Sequence, residues 1–263
     1  MVITDSIIRE NRSYWTGRAD GYSKVNQEEL STDQKQNWSL CLTNEIRSHF
    51  PGCSASEIRI LDVGTGPGFF SILLAEAGFH VTAVDLTPAM LSEAKKNAGT
   101  LASKICFLEM NAESLSFSDH SFDVVISRNL TWNLPHPERA YAEWTRVLKP
   151  NGLLLNFDAN WYHYLFDEKA RDAYEADRIN TQNAGMKDGN IGKDFDVMEQ
   201  IASKIPLSRI NRPLWDMQCL GNRGMAVEAD ETIWQRVWSA EERMNFSSTP
   251  LFMIRARKQP VSA

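Results

Sequence analysis

A glycine-rich turn stands directly after a strand-like apolar run in the first third of the chain. Residues 62–68 read D-V-G-T-G-P-G and include Asp62, Gly64, Gly66 and Gly68. Glycine lets the backbone turn tightly and lets a ligand approach without a Cβ in the way. The helix predicted to follow would point its free N–H groups at that ligand. The turn is therefore a candidate ligand cradle, although such turns also occur with a purely structural role.

The spacing of these glycines does not match two common nucleotide-binding turns. A dinucleotide-binding turn follows G-x-G-x-x-G, and here the third glycine comes one residue too early. A P-loop carries Lys followed by Ser or Thr after its glycines, whereas Phe69 and Phe70 follow this turn. The sequence therefore predicts neither of these two sites.

Acidic and polar residues follow the next two predicted strands. Asp85 closes the second strand, where a carboxylate can accept both hydroxyls of a ribose, as in other open α/β sites. Asn111, Ala112 and Glu113 follow the third strand, at the edge where ligands of such sheets bind. Each feature also has a structural interpretation, because Asp is common in caps and turns and short polar segments are common in loops. Their joint occurrence with the glycine turn is more specific than any one of them.

The elements that would position these residues form an alternating pattern from Ile58 to Phe157. Short β-rich segments alternate with helical ones, and uninterrupted apolar runs suit strands covered on both faces. Strands are predicted at 58–64, 80–86, 104–110, 122–127, 153–159, 224–230 and 250–258, and helices at 69–78, 88–97 and 136–152. The sequence thus predicts an α/β fold with a Rossmann-like, doubly wound, seven-stranded, mostly parallel sheet.

The segments outside this alternation have a different character. Residues 1–57 read as two helices, and residues 160–213 are polar and helical without a strand pattern. We therefore divide the chain into an N-terminal helical lid (1–45), a Rossmann-like core (46–159), a helical insertion between strands 5 and 6 (160–213), and C-terminal strands that complete the sheet (214–263).

Composition limits the partners and the compartment that we expect. The formal net charge is −6, so no global basic field favours nucleic acid or an anionic membrane. The four cysteines form no C-x-x-C pair, so no metal site is predicted. The first residues lack the pattern of an export signal, and no run approaches the ~18 apolar residues of a membrane span. We expect a cytoplasmic protein, and its oligomeric state stays open.

The core motifs resemble those of the class I S-adenosylmethionine-dependent methyltransferases, in the small-molecule branch often called the methyltransferase-11-like group. The matching segments are LDVGTGPG for the first motif, VDLTPAML for the second, MNAESLSFSDHSFDVV for the third and RVLKPNGLLLNFD for the segment ending in the fifth strand. The resemblance covers roughly residues 45–160. It departs from the family at Asn111, where the family usually has Asp, and an Asn can still hydrogen-bond an amino group.

This resemblance implies S-adenosyl-L-methionine as the cofactor, S-adenosyl-L-homocysteine as its product, and a set of residues that hold it. The first motif would cradle the methionine and ribose part, Asp85 would bind the ribose hydroxyls, and Leu86 would lie beside the adenine. The predicted cofactor-binding residues of the core are Asp62, Gly64, Thr65, Gly66, Gly68, Asp85, Leu86, Met90, Asn111, Ala112, Glu113 and Arg128.

The segment YWTGRADGYS, residues 14–23, resembles the W-x-x-R-A-x-x-Y start that is common in this group. The resemblance implies a lid in which Tyr14, Trp15, Arg18 and Tyr22 fold over the methionine end of the cofactor. An aromatic face would attract the sulfonium, and Arg18 could pair with the cofactor carboxylate. The same aromatic residues could instead pack the N-terminal helix onto the core.

Residues after the fourth and fifth strands are candidates for the acceptor side. Asn129 and Trp132 keep the spacing of the N-P-P-Y motif of amino-methyltransferases, in which the Asn and the adjacent carbonyl hold an NH group, but both prolines are missing. His163 is the candidate general base because its pKa lies near neutral. Arg209 and Arg212 could hold an acceptor carboxylate. The alternatives are a core-edge Trp132, a structural His163 and surface arginines.

The sequence therefore predicts methyl transfer to a small-molecule acceptor through an N, O or S nucleophile. Transfer from a sulfonium is an in-line displacement, so the protein chiefly aligns the nucleophile and excludes water. Two alternatives remain at this point: a cofactor-binding regulatory protein without transfer activity, and a methyltransferase that acts on protein or RNA.

Overall fold

The computed structural model describes residues 2–186, 188 and 193–260. Residues 1, 187, 189–192 and 261–263 lie outside the described part. The predicted lid, insertion and C-terminal segment therefore each contain residues outside the described part.

Seven strands form one sheet in the order β3-β2-β1-β4-β5-β7-β6. The strands are β1 (Arg59–Val63), β2 (His80–Asp85), β3 (Ile105–Glu109), β4 (Phe122–Arg128), β5 (Leu148–Asp158), β6 (Met225–Asp230) and β7 (Phe252–Lys258). Strands β1 to β5 run parallel, and β7 is antiparallel to both of its neighbours. The predicted seven-stranded, mostly parallel sheet is confirmed.

Helices cover both faces of this sheet. They are α1 (Val2–Ser31), α2 (Asp33–His49), α3 (Phe69–Glu76), α4 (Pro88–Ala98), α5 (Pro137–Val147), α6 (Glu168–Asn183), α7 (Lys193–Ala202), α8 (Leu214–Gly221), α9 (Trp234–Val237) and α10 (Ala240–Asn245). Two apolar clusters fill the space between sheet and helices, one on each face. Alternate residues of β4 divide between them, because Val124 and Ile126 belong to one cluster and Val125 to the other.

The order of the strands fixes where a ligand can enter. The chain winds outward from β1 to β3 in one direction and from β4 onward in the other. Connections that leave neighbouring strands in opposite directions open a crevice at the carboxyl ends of those strands. The glycine turn follows β1 and residues 129–135 follow β4, so both lie at this point.

One predicted boundary is wrong. The sequence predicts a helix over 136–152, whereas α5 ends at Val147 and β5 begins at Leu148. Pro150 disfavours helical geometry in the residue before it, and Asn151 adopts a left-handed backbone with φ of 60°. The strand therefore starts before the proline and takes in the segment that we predicted as the end of the helix.

The long helix α1 lies over the carboxyl edge of the sheet. Arg12 pairs with Glu109 at the end of β3, at 2.6 Å. Tyr22 lies beside the glycine turn, since a Cβ built on Gly66 would be 3.6 Å from its ring. Near its C-terminal end, Glu29 forms an ion pair with Arg128 at the end of β4. The helix thus spans the edge from β3 to β4.

Two short helices between β6 and β7 escaped the sequence prediction. They are α9 and α10, and α10 begins with a capping box in which Ser239 and Glu242 bond each other's backbone N–H. The S-x-x-E pattern of residues 239–242 was the available signal, since it marks helix starts.

Candidate functional site

A cavity of about 390 Å³ opens at the carboxyl edge of the sheet. The turns after β1 to β4 form its floor, and one face of α1 covers it. Residues after β5, together with α6, α7 and the segment that joins β6 to β7, complete the wall. A single space therefore runs from the β3 side of the sheet to the β5 side.

The glycine turn adopts a conformation that other residues would strain. Gly64 has a φ of +68°, and a Cβ built there would lie 2.6 Å from Cδ2 of Leu130. Gly66 is also left-handed and lines the cavity beside Thr65. Gly68, which was also predicted to bind the cofactor, does not line the cavity. Its Cβ would lie 3.2 Å from Cα of Ala94, so it allows α3 and α4 to pack closely.

Two buried carboxylates stand beside this turn. Asp85 accepts hydrogen bonds from the backbone N–H groups of Gly66, at 2.9 Å, and Thr87, at 2.8 Å. Asp62 accepts from the hydroxyls of Thr65 and Ser71, at 2.7 and 2.6 Å. Burial raises the pKa of Asp62 to about 6 and also raises the pKa of Asp85. Both carboxylates line the cavity and keep acceptor capacity for a ligand.

The end of β3 supplies a polar and apolar edge. Leu86, Met90, Asn111, Ala112 and Glu113 all line the cavity, as the predicted adenine side requires. The side-chain oxygen of Asn111 accepts the backbone N–H of Glu113 at 2.9 Å. The carboxylate of Glu113 accepts a hydrogen bond of 2.7 Å from the backbone N–H of His136, the N-cap residue of α5. Burial raises the pKa of Glu113.

Arg128 lines the cavity, but its charge is already used within the protein. Its two terminal nitrogens bind both carboxylate oxygens of Glu29. The guanidinium carbon lies 4.8 Å from the ring centroid of Trp38 and 5.0 Å from that of Phe69. The predicted contact to a cofactor is therefore secondary to a structural one, in which Arg128 ties α1 to the end of β4.

Asn129 and Trp132 lie in the cavity wall in a geometry that the sequence did not predict. Asn129 is left-handed, with a φ of 54°, and its carbonyl accepts the indole N–H of Trp132 at 3.0 Å. The adjacent carbonyl of Leu130 accepts the N–H of Asn133 at 2.9 Å. Each carbonyl thus already accepts one hydrogen bond from the protein and keeps one lone pair, so the backbone half of the N-P-P-Y grip stays a prediction. One face of the Trp132 ring packs on Tyr162, with centroids 5.0 Å apart.

Three amide oxygens of the cavity residues lack hydrogen-bond partners within the described part of the chain. They belong to Asn11 on α1 and to Asn129 and Asn133 after β4. An unpaired buried carbonyl is costly, so such groups mark places where a ligand or water donates. Asn11 escaped the sequence prediction, although its helical spacing from Trp15 and Tyr22 places all three on one face of α1.

Three further predicted residues do not line the cavity. Arg18 forms an ion pair with Asp194 of α7 at 2.9 Å, so it joins α1 to the insertion. Tyr14 packs edge-on against Trp15, with centroids 5.1 Å apart, in the cluster between α1 and α7. His163 begins a short 3-10 helix and its Nδ1 lies 3.3 Å from the carbonyl of Ser208. The aromatic lid residues that do reach the cavity are Trp15 and Tyr22.

The arginines proposed for an acceptor carboxylate are used elsewhere. Arg212 is fully buried between Asp158 and Asp216, at 2.7 and 2.6 Å. Asp158 in turn accepts the backbone N–H of Trp132 at 2.9 Å. The guanidinium of Arg209 lies 4.0 Å from the ring centroid of Phe166. Arg212 does not line the cavity, but its ion pair with Asp158 supports the backbone of Trp132, which does.

The segment between β6 and β7 supplies cavity residues that the sequence prediction missed. Trp238, Glu242 and Phe246 line the cavity from α10 and its flanks, and Ser248 and Thr249 follow. The insertion contributes four aromatic residues to the same wall, namely Trp161, Tyr162, Tyr174 and Phe195. The β5 side of the cavity is thus mainly aromatic, whereas the β1–β3 side carries the carboxylates and the glycine turn.

A seven-stranded sheet with an antiparallel β7, together with a ligand cavity above the turn after β1, defines the Rossmann-like fold of the class I methyltransferases. An S-adenosylmethionine-dependent methyltransferase from Thermotoga maritima shares this fold, with a TM-score of 0.54 and 16% identity over 94% of this chain and 99% of that one. Residues 61–156 match the family model described as a methyltransferase domain. Residues 61–156 thus match a methyltransferase domain, and the chain shares the fold of the class I methyltransferases.

Curated proteins also match part of this chain. A ubiquinone/menaquinone biosynthesis C-methyltransferase from Bartonella tribocorum is 35% identical over 159 residues, which are 57% of this chain and 59% of that protein. An uncharacterized protein of Mycobacterium bovis is 40% identical over 103 residues, 39% of this chain and 37% of that protein. The match thus spans about two fifths to three fifths of these relatives. No helix in the described residues is long and apolar enough to cross a membrane.

Proposed function

We propose that this protein transfers the methyl group of S-adenosyl-L-methionine to a small-molecule acceptor through an N, O or S nucleophile. The observation that carries the proposal is the continuity of the cavity. One space joins the carboxylates beside the glycine turn to an aromatic wall built by the insertion and the segment between β6 and β7. A cofactor and a second, apolar molecule can therefore meet inside it.

The residues present fit the cofactor. Asp85 has lone pairs left beyond its two backbone hydrogen bonds and can accept ribose hydroxyls. The turn at Gly64 and Gly66 leaves no Cβ between the backbone and a ligand. Leu86 and Ala112 offer apolar contacts for a base at the β3 side. When bound, the cofactor supplies an activated methyl group on a sulfonium.

The order of the strands supports a position for the acceptor in the other half of the cavity. With the base toward β3 and the ribose at the end of β2, the remaining half of the cavity lies over β4 and β5. The side-chain oxygens of Asn129 and Asn133 lie there and have no hydrogen-bond partner among the described residues, which suits an acceptor that donates hydrogen bonds. Trp132 and Tyr162 enclose the same region and exclude water. These residues hold and orient the acceptor.

Proton removal does not fall to a histidine of the described cavity wall. His163, the predicted base, does not line the cavity. A neutral amine or a thiolate attacks without a strong base, whereas an alcohol needs one. The absence of a histidine from the described cavity wall therefore favours nucleophiles that attack without prior loss of a proton.

The character of the cavity supports a small molecule over RNA. Of the described residues that line it, five are acidic and two are basic. A phosphate backbone needs the opposite balance. Enclosure by α1 and the insertion also favours a compact acceptor over a folded protein.

Two measurements test the proposal in order. Isothermal titration calorimetry should show binding of S-adenosyl-L-methionine and of S-adenosyl-L-homocysteine, and no binding of either contradicts the proposal. The protein is then incubated with methyl-labelled cofactor and a metabolite extract, and label should appear in a low-molecular-weight product. Binding without any labelled product would favour a regulatory protein, and label in macromolecules alone would exclude a small acceptor.

A further inference from the structure

Glu242 lines the cavity and, among the described residues, accepts hydrogen bonds on only one of its two carboxylate oxygens. Its Oε2 atom accepts two hydrogen bonds, from Nε2 of Gln34 at 2.5 Å and from the backbone N–H of Ser239 at 2.8 Å. Its Oε1 atom accepts none from the described residues and is not enclosed. The capping function therefore uses one oxygen and leaves the other available to a ligand.

Three aromatic rings stand in the same part of the wall. Trp161, Trp238 and Phe246 contact one another in all three pairings, with ring centroids 6.5, 5.3 and 5.9 Å apart. Trp238 and Phe246 flank Glu242 at four residues before and four residues after it, and all four residues line the cavity. Aromatic faces beside a carboxylate attract an organic cation through the ring quadrupole and through charge.

No cation among the described residues forms an ion pair with Glu242. Arg128 acts on it at a distance but is bonded to both oxygens of Glu29. The other basic lining residue, Arg12, pairs with Glu109. Burial raises the pKa of Glu242, and the nearby negative charge of Glu29 raises it as well, so both effects disfavour the ionised carboxylate. A bound cation would relieve that cost.

We propose that Glu242, Trp161, Trp238 and Phe246 form a binding site for an alkylammonium group carried by the methyl acceptor. This inference rests on the proposed function, since it names the chemical class of the acceptor. The ammonium is the group that is recognised, and the nucleophile is a separate atom nearer to Asn129. The site would select cationic acceptors against neutral molecules of the same shape.

A pair of isosteric probes tests this site directly. Choline and 3,3-dimethyl-1-butanol have the same shape and differ in the charge of one atom. Their affinities are measured by calorimetry on the full chain saturated with S-adenosyl-L-homocysteine. We expect choline to bind at least about tenfold more tightly, the order of a desolvated cation–π contact with a carboxylate. Equal affinities, or no choline binding, would overturn the inference while leaving the proposed function intact.

Substitutions assign the preference to the named residues. Glu242→Gln and Phe246→Leu should each reduce the ratio of the two affinities, and Glu242→Gln should bring it close to one. Glu57→Gln is the matched control, because Glu57 closes the capping box of an exposed 3-10 helix outside the cavity. A preference that survives in Glu242→Gln would show that Glu242 only caps α10. Unchanged S-adenosyl-L-homocysteine binding in each variant shows that the fold is kept, and Phe246→Leu decides the outcome if Glu242→Gln does not fold.

Discussion

Replacing Arg212 by Met should destabilise the fold strongly. The Arg212 side chain is fully buried, as are those of its two partners Asp158 and Asp216. It makes three hydrogen bonds to them, of 2.8, 2.7 and 2.6 Å. Methionine keeps most of the volume and removes the charge. Two carboxylates would then remain in the core without a cation.

The magnitude follows from the cost of an uncompensated buried charge. Removing one member of a buried ion pair costs about 3–5 kcal/mol, and here two carboxylates share the one cation. The loss therefore belongs at the upper end of that range. Restoring neutrality should recover part of it, so the triple variant Arg212→Met, Asp158→Asn, Asp216→Asn should be more stable than the single variant.

Urea unfolding followed by tryptophan fluorescence measures the free energy of unfolding for each variant. Arg236→Met is the control, because Arg236 is 57% exposed in its pair with Asp230 and its loss should cost about 0–1 kcal/mol. The difference in the free energy of unfolding between the wild-type protein and Arg212→Met should also become smaller as the pH falls. Burial already raises the pKa of Asp158, and without the guanidinium that pKa rises further. A carboxyl whose folded pKa exceeds its unfolded value stabilises the fold as the pH falls through the folded value.

Two results would refute this reasoning. A loss for Arg212→Met no larger than that of Arg236→Met would show that the core solvates the carboxylates by other means. A deficit that does not change between about pH 7.5 and pH 5 would show that the carboxylates are not its source. Either result would also remove the argument that this network fixes the cavity wall through Trp132.

Four further outcomes are expected. Asp85→Ala should weaken S-adenosyl-L-homocysteine binding by about tenfold or more, the order for a lost charge-assisted hydrogen bond, and an unchanged Kd in calorimetry would contradict the ribose assignment. Gly64→Ala should lower the free energy of unfolding by at least about 1–2 kcal/mol, because φ is +68° and the new Cβ meets Leu130; thermal unfolding measures this. Cofactor affinity should stay level above neutral pH and fall below about pH 6. The reason is that burial raises the pKa of Asp62 to about 6 and that binding needs the ionised carboxylate. An affinity that does not change down to about pH 5 would refute this. His163→Ala should leave the pH profile of methyl transfer unchanged, and a lost limb of that profile would restore His163 as the base.

The sheet and the β1–β3 half of the cavity could be predicted from the sequence because local rules determine them. Apolar runs specify strands buried on both faces. Gly64 and Gly66 are recognisable because other residues strain in their conformation, and Asp85 because a carboxylate closes its strand. The exception in this region is Gly68, which lies outside the cavity lining and allows α3 and α4 to pack closely. A glycine needed for close packing and one needed for a ligand look the same in a sequence.

The β5 half was predicted poorly because its residues meet through tertiary packing. His163 and Arg18 are of the residue types that the site would use, and they lie in the predicted segments. In the folded chain, however, His163 contacts the carbonyl of Ser208 and Arg18 forms an ion pair with Asp194. Arg212 was proposed for a ligand, and it instead neutralises two buried carboxylates. A sequence shows which charges exist, but it does not show which of them are paired.

Under the proposed function, acceptor binding and cofactor binding reside in different parts of this chain. The proposed cofactor side comes from short motifs after consecutive strands. The proposed acceptor side is assembled from residues after β4, the insertion and α10, which are far apart in the sequence. Arg128 connects the two halves, because it lines the cavity at the end of β4 and holds α1 through Glu29. Substituting the flanking segments should therefore change the acceptor without changing the cofactor, provided that this ion pair is kept.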